Sequence, residues 1–171
     1  MSVSSHLTPE PERRLWLILD SMRHAMEVVD AKIAALTAFA AAELAFGKII
    51  APVGLPGVLS LTALSAALPL GILAFSSLRR LPKWLLLLEL GKNRPAIGDN
   101  LVAVGDVAKY SHGELISKLD RYLGGGITAM PYYEDIIGEI VMSSRIAARK
   151  QRLFRVLCVL VGIGQLCLVG R

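Results

Sequence analysis

Between Val58 and Leu78 the chain carries no charged residue at all. As a helix this run of about 21 residues is about 31 Å long, the hydrocarbon thickness of a bilayer. A chain of 171 residues has room for one compact domain, or for a few such spans with a small soluble appendage. Composition supports the second arrangement. Hydrophobic residues make up 54% and charged residues 19%, with a mean hydropathy of +0.54, whereas soluble domains carry about 25% charged residues. That balance excludes a disordered chain and argues against an ordinary soluble enzyme. The sequence reads as an all-α membrane protein.

A second apolar run, Ile33 to Val53, is broken only by Glu43 and Lys48. Pro52-Val53-Gly54-Leu55-Pro56-Gly57, dense in helix breakers, separates it from the charge-free run, so the two form a transmembrane hairpin. Pro69 kinks the second arm, which membrane helices tolerate. A third run, Val156 to Gly170, is short for a span. Counted from Leu153, with Arg155 snorkelling to the interface, it reads as a span, the alternative being a buried core helix. Arg13, Arg14 and Arg23 precede the first span, and Arg79, Arg80 and Lys83 follow the second. Arg145, Arg149, Lys150 and Arg152 precede the third, while the hairpin turn is uncharged. The positive-inside rule therefore places the N-terminus and the middle region in the cytoplasm. The first 30 residues mix acids with bases and do not read as a signal peptide.

Four parts follow: a cytoplasmic amphipathic helix over 1–30, two spans over 31–78, a small, mostly helical cytoplasmic sensor region over 79–152, and a third span over 153–171. Thr8-Pro9-Glu10 marks a helix start. The helix then lines up Leu15, Ile18, Met22, Met26 and Val29 on one face, and its mixed-sign charges favour packing against other helices over lying on the bilayer. Trp84 to Leu90 is an apolar stub. Leu101 to Val107 is a short strand or a helical turn. His112 to Leu123 is a helix closed by Gly124-Gly125-Gly126, and a long helix runs from Tyr132 through Arg152 into the third span. A body this small is marginal on core burial alone, so it leans on the N-terminal helix or on a neighbouring subunit.

Catalytic patterns are scarce. His6, His24 and His112 are far apart, Cys158 and Cys167 lie in one apolar run, and Ser143-Ser144 has no adjacent base. The triple glycine lacks the Lys and Ser/Thr of a phosphate loop. The expectation is a protein that is not an enzyme, with no metal and no cofactor. Two features stand out. Glu43, inside the first span, is either a pore-lining or helix-registering carboxylate, or a group protonated against a neighbour or offset from the centre. The basic set Arg145, Arg149, Lys150 and Arg152 is either a positive-inside anchor or a phosphate-binding edge.

Three phrases in order complete the pattern: Asp30-Ala-Lys32-Ile33-Ala34-Ala35-Leu36 opening the first span, Asn100-Leu101-Val102-Ala103-Val104-Gly105-Asp106-Val107-Ala108 with Tyr110 after it, and Ser144-Arg145-Ile146-Ala147-Ala148-Arg149-Lys150 before the last span. In these the chain resembles the transmembrane effectors of the Pycsar anti-phage system, from about Asp30 onward. It departs from them at Val102 to Val104 and at Gln151, where aromatics are common. The resemblance implies a bacterial inner-membrane, multi-pass protein that senses cyclic UMP or cyclic CMP made by a partner cyclase. It implies a homo-oligomer that damages the bilayer and stops growth, with no nucleic acid polymer as partner. On that footing Arg145, Arg149 and Lys150 are candidates for the phosphate, and Asn100 and Asp106 for ribose or base. Lys32 either joins the phosphate contacts or pairs with Asp30, and Glu43 is the candidate for the pore. The rival reading is a small structural or adaptor membrane protein that docks a cytoplasmic protein partner.

Overall fold

A computed structural model describes residues 11–50, 54–75, 94–96, 98–123 and 131–169. Helix accounts for 89% of these residues, and no strand occurs among them. The helices are α1 (Pro11–Ile50), α2 (Leu55–Phe75), α3 (Val104–Val107), α4 (His112–Leu123) and α5 (Pro131–Val169). The 101–107 segment, open between strand and helix on sequence alone, therefore contains the helical turn α3. The Thr8-Pro9-Glu10 start, the Trp84 to Leu90 stub, the triple glycine and Arg79, Arg80 and Lys83 lie outside the described residues. The chain divides into two compact units, Met1–Met26 with Glu89–Ala148 and Glu27–Leu88 with Arg149–Arg171.

The first unit has a closed apolar core. Leu15, Leu19 and Met22 of α1 meet Val104 and Val107 of α3, Leu115 and Leu119 of α4, and Ile136, Ile137 and Ile140 of α5. Ile18 and Met26 pack against this core while half-buried, so the amphipathic face legible in the sequence is the one α1 buries. Leu15, Met22, Leu115, Ile137 and Ile140 are almost wholly excluded from solvent, each contributing about 1.5–3 kcal/mol by transfer alone. Helix α4 starts with a reciprocal cap. The Ser111 N–H donates to Glu114 Oε2 at 2.8 Å and the Glu114 N–H donates back to Ser111 Oγ at 3.4 Å, matching two backbone donors that a bare helix start leaves unmatched. His112 Nε2 lies 3.1 Å from the Glu134 carbonyl, tying the start of α4 to that of α5.

The second unit is built on small residues. Helix α2 buries Gly57, Ser60, Leu64, Ala67, Gly71 and Ala74, a stripe repeating every three or four positions, and small residues at this spacing let helix backbones approach closely in a bilayer. Leu64, Ala67 and Ala74 share a core with Val29, Ile33 and Ala40 of α1 and Leu153, Leu157 and Val161 of α5. A Cβ added at Gly71 would meet Thr37 Cγ2 at 2.8 Å, and one at Gly164 would meet Leu64 Cγ at 2.9 Å. At the start of α2, Gly54 has φ 116°, a conformation that favours glycine, and its carbonyl accepts the Val58 N–H at 3.2 Å.

The unit's outer face is apolar: Phe39, Phe46, Ile72, Val159, Ile163 and Leu166 are all exposed, Leu166 to 75%. In water such a face would be a liability; in lipid it costs nothing. Among the described residues two helices, α2 and α5, are long and apolar enough to cross a membrane. In the apolar half of α5 only Leu153, Leu157, Val161 and Gly164 are buried, whereas a core helix of a soluble protein is mostly buried. The Ile33 to Val53 run is helical through Ile50 as the later half of α1, and residues 51–53 lie outside the described residues.

Candidate functional site

The polar residues of the first unit converge on the loop before α3. Asp99 Oδ2 accepts the Ala96 N–H at 2.7 Å, and Oδ1 accepts the Lys109 ammonium at 2.9 Å. Together with Tyr110 these contacts hold the Asp99 carboxyl down at about 2, the Ala96 N–H acting most strongly and Lys109 next. Asp106 takes the other side of Lys109 at 2.6 Å and accepts the Asn100 N–H at 3.1 Å, so its pKa is lowered too, chiefly by Lys109. Between two carboxylates Lys109 is held above the ordinary lysine value, by Asp106 first and Asp99 second. Asn100 Oδ1 accepts the Val102 N–H at 3.0 Å, a local turn that fixes the loop.

Tyr110, only 4% exposed, extends this network. Its hydroxyl lies 3.0 Å from both Asp99 Oδ2 and the Ala96 carbonyl, donates its one hydrogen between them, and accepts from the Lys118 ammonium. Lys118 also sits over the Tyr110 ring, 4.7 Å from its centroid. The Tyr110 carbonyl accepts Arg145 Nη2 at 3.0 Å. Two clefts open beside the network. One, of about 500 Å³, is lined by Pro95, Ala96, Tyr110, Lys118, Arg121 and Tyr122 among others. The other, of about 300 Å³, is lined by Arg14, Asp99, Asn100, Leu101, Leu119 and Tyr122 among others. Both volumes fall in the range of small-molecule sites, about 300–1,000 Å³.

The seven residues singled out from sequence fall into two groups. Asn100, Asp106 and Arg145 belong to the first unit, where Asn100 and Asp106 are bonded to each other and Arg145 holds the backbone at Tyr110. Lys32, Glu43, Arg149 and Lys150 belong to the second unit. There Lys150, 8% exposed, places its ammonium 2.6 and 2.7 Å from the two oxygens of Asp30. Asp30 is therefore held by Lys150, while Lys32 is exposed and Glu43 half-buried. Arg149 is half-buried and has an interaction of its own.

The third phrase thus contacts each of the other two, each contact lying within one unit. Its Arg145 binds the middle phrase's flank at Tyr110, and its Lys150 binds the first phrase's Asp30. Sequence reasoning missed Lys118, Arg121 and Tyr122. The signal was present: Glu114, Ser117, Lys118 and Arg121 fall at i, i+3, i+4 and i+7, the polar face of a helix whose other face is Leu115 and Leu119. Among the described residues, no group of His, Cys, Asp and Glu is arranged to hold a metal ion.

Over residues 14–170 the sequence matches the family model of the Pycsar effector protein domain. No curated protein and no solved structure gives a significant match.

Proposed function

This chain belongs to the Pycsar effector family, and from that premise we propose that it is an anti-phage effector. In this reading it senses cyclic UMP or cyclic CMP from a partner cyclase and breaks the integrity of the bacterial inner membrane. The observation that carries the proposal is the extent of the match, which takes in nearly all described residues of both units. The first unit offers clefts of small-molecule size beside a polar network, and the second offers the apolar surface and the two helices that fit a bilayer.

The proposed sequence of events starts with ligand binding in the first unit. Helices α1 and α5 each contribute residues to both units without a break in helix, which supplies a covalent route for the response. The ligand drives the change only as far as it binds the responding state better than the resting one. The spans, as a homo-oligomer with the N-terminus in the cytoplasm, then reorganise until ions leak. Asn100, on a cleft wall, contacts the ligand. Asp106 and Arg145 position the loop that carries it, and Lys150 secures α5 to α1 within the second unit. Lys32 and Arg149 supply positive charge in that unit, and Glu43 tunes the leak. The chain carries out no reaction and needs no metal or cofactor.

Calorimetry on detergent-solubilised protein tests the proposal, with cyclic UMP and cyclic CMP set against cyclic AMP and cyclic GMP. Selective binding of one pyrimidine at micromolar or tighter affinity, about −8 kcal/mol or better, is the expected result. A folded protein that binds none of the four would overturn the sensor and favour an adaptor.

A further inference from the structure

We infer that Arg121 and Tyr122, on the solvent face of α4, contact the ligand directly, with the charge of the half-buried Lys118 ammonium beside them, as a site for a phosphodiester that carries a flat ring. The inference rests on the sensor reading above and adds to it the residues that hold the two ends of the ligand.

Charge is the first argument. The larger cleft is lined by Lys118, Arg121 and one acid, Glu114. Glu114 is occupied in capping α4, where its bonds from the Ser111 N–H and hydroxyl keep it ionised and turned to the helix start. The partners of Lys118 are neutral oxygens: the Ala96 and Asp99 carbonyls at 3.3 and 3.4 Å and the Tyr110 hydroxyl. Among the described residues, no carboxylate is paired with Lys118 or Arg121. Two cations without a carboxylate of their own, at the wall of an open cleft, suit an oxyanion.

Shape is the second. Tyr122 is 66% exposed and lines both clefts. An aromatic ring left open between two adjoining clefts is a platform for a planar group, and base-on-aromatic stacking tolerates any base. Beyond it, in the smaller cleft, Asn100 holds its own loop through Oδ1, and among the described residues its Nδ2 hydrogens have no partner and are open to a ring carbonyl. Anion at Lys118 and Arg121, ring across Tyr122 and carbonyl at Asn100 together describe a nucleotide with a single phosphodiester. The basic set before the third apolar run is placed less well for this task, because Lys150 is neutralised by the Asp30 carboxylate and neither Arg145 nor Lys150 lines either cleft.

The test is equilibrium binding of cyclic UMP and cyclic CMP to the full chain in nanodiscs of neutral phosphatidylcholine. Arg121 and Tyr122 are exposed, so their substitution leaves the core intact, and melting curves verify this. Arg121→Gln and Tyr122→Ser should each weaken binding about tenfold or more, the scale of one charged contact or one stacked ring. Tyr122→Phe should bind as wild type, since the ring is retained. Wild-type binding with both disruptive variants unchanged would overturn the site and leave the sensor reading standing. No binding by folded wild type would overturn the sensor reading itself, and the site with it. Discs containing phosphatidylglycerol separate the two sources of a phosphodiester. Nucleotide displaced by that lipid, with affinity indifferent to Tyr122, would assign the cations to a headgroup and overturn the inference.

Discussion

Asp99 illustrates how one carboxylate can organise a loop, because it accepts from Ala96 and Lys109 and faces Tyr110. Its folded value, about 2, lies below the ordinary carboxylate value of 3.8. The stability it contributes is therefore fully present above 3.8 and is lost as pH falls through that value toward 2, and Asp106, also lowered, acts in the same direction. Lys109 is raised, so its contribution is present below 10.5 and lost in stronger base. Thermal unfolding should thus be insensitive to this network across neutral pH and fall at about pH 3. Asp99→Asn should lower stability at neutral pH and flatten that acid drop. In the second unit Lys150→Met leaves Asp30 without its cation and should destabilise by about 2 kcal/mol, discounted because Asp30 is partly exposed. The double variant Asp30→Asn with Lys150→Met should regain part of that loss in the same melts.

At the scale of elements, the contact between α1 and α2 depends on a missing side chain. Gly71→Ala would drive a methyl into Thr37, whose own rotamer is fixed by a 2.7 Å bond to the Ile33 carbonyl. Overpacking of this kind costs about 1–3 kcal/mol. Thermal stability in detergent should fall accordingly, and Thr37→Ala should restore it. Much of this architecture was legible in advance. The face of α1 followed from the spacing of Leu15, Met22 and Val29, and α4 was read from His112 to Leu123 as it stands. Less legible was that α1 would continue to Ile50. Its sequence shifts from mixed charge to apolar, but from Glu12 to Phe46 it contains no proline or glycine that would end a helix. The Asp30–Lys150 pair could not be read at all, because its partners lie 120 positions apart and nearby Lys32 offered a local alternative. Lys118 and Arg121 were overlooked because their meaning lies in which face of α4 the core leaves open.

For the whole molecule the proposed function separates sensing from leak. Glu43→Ala should change the ion conductance of proteoliposomes exposed to the cyclic pyrimidine and leave its affinity unchanged. Lost affinity would remove Glu43 from the pore. The small-residue stripe of α2 also has a consequence for biogenesis. A charge-free helix of this length partitions from the translocon into lipid unaided, whereas each central charge costs about 2.5–3.5 kcal/mol of insertion. In the proposed multi-pass topology the apolar half of α1, which carries Glu43 and Lys48, would enter the translocon first, with a marginal case for leaving it. Leu64, Ala67 and Ala74 share a core with Ile33 and Ala40, so in that topology α2 would be the partner that makes membrane residence favourable for its predecessor. Insertion would then be a cooperative, retrospective event: the fate of the earlier segment would be decided only after the later one has been synthesised.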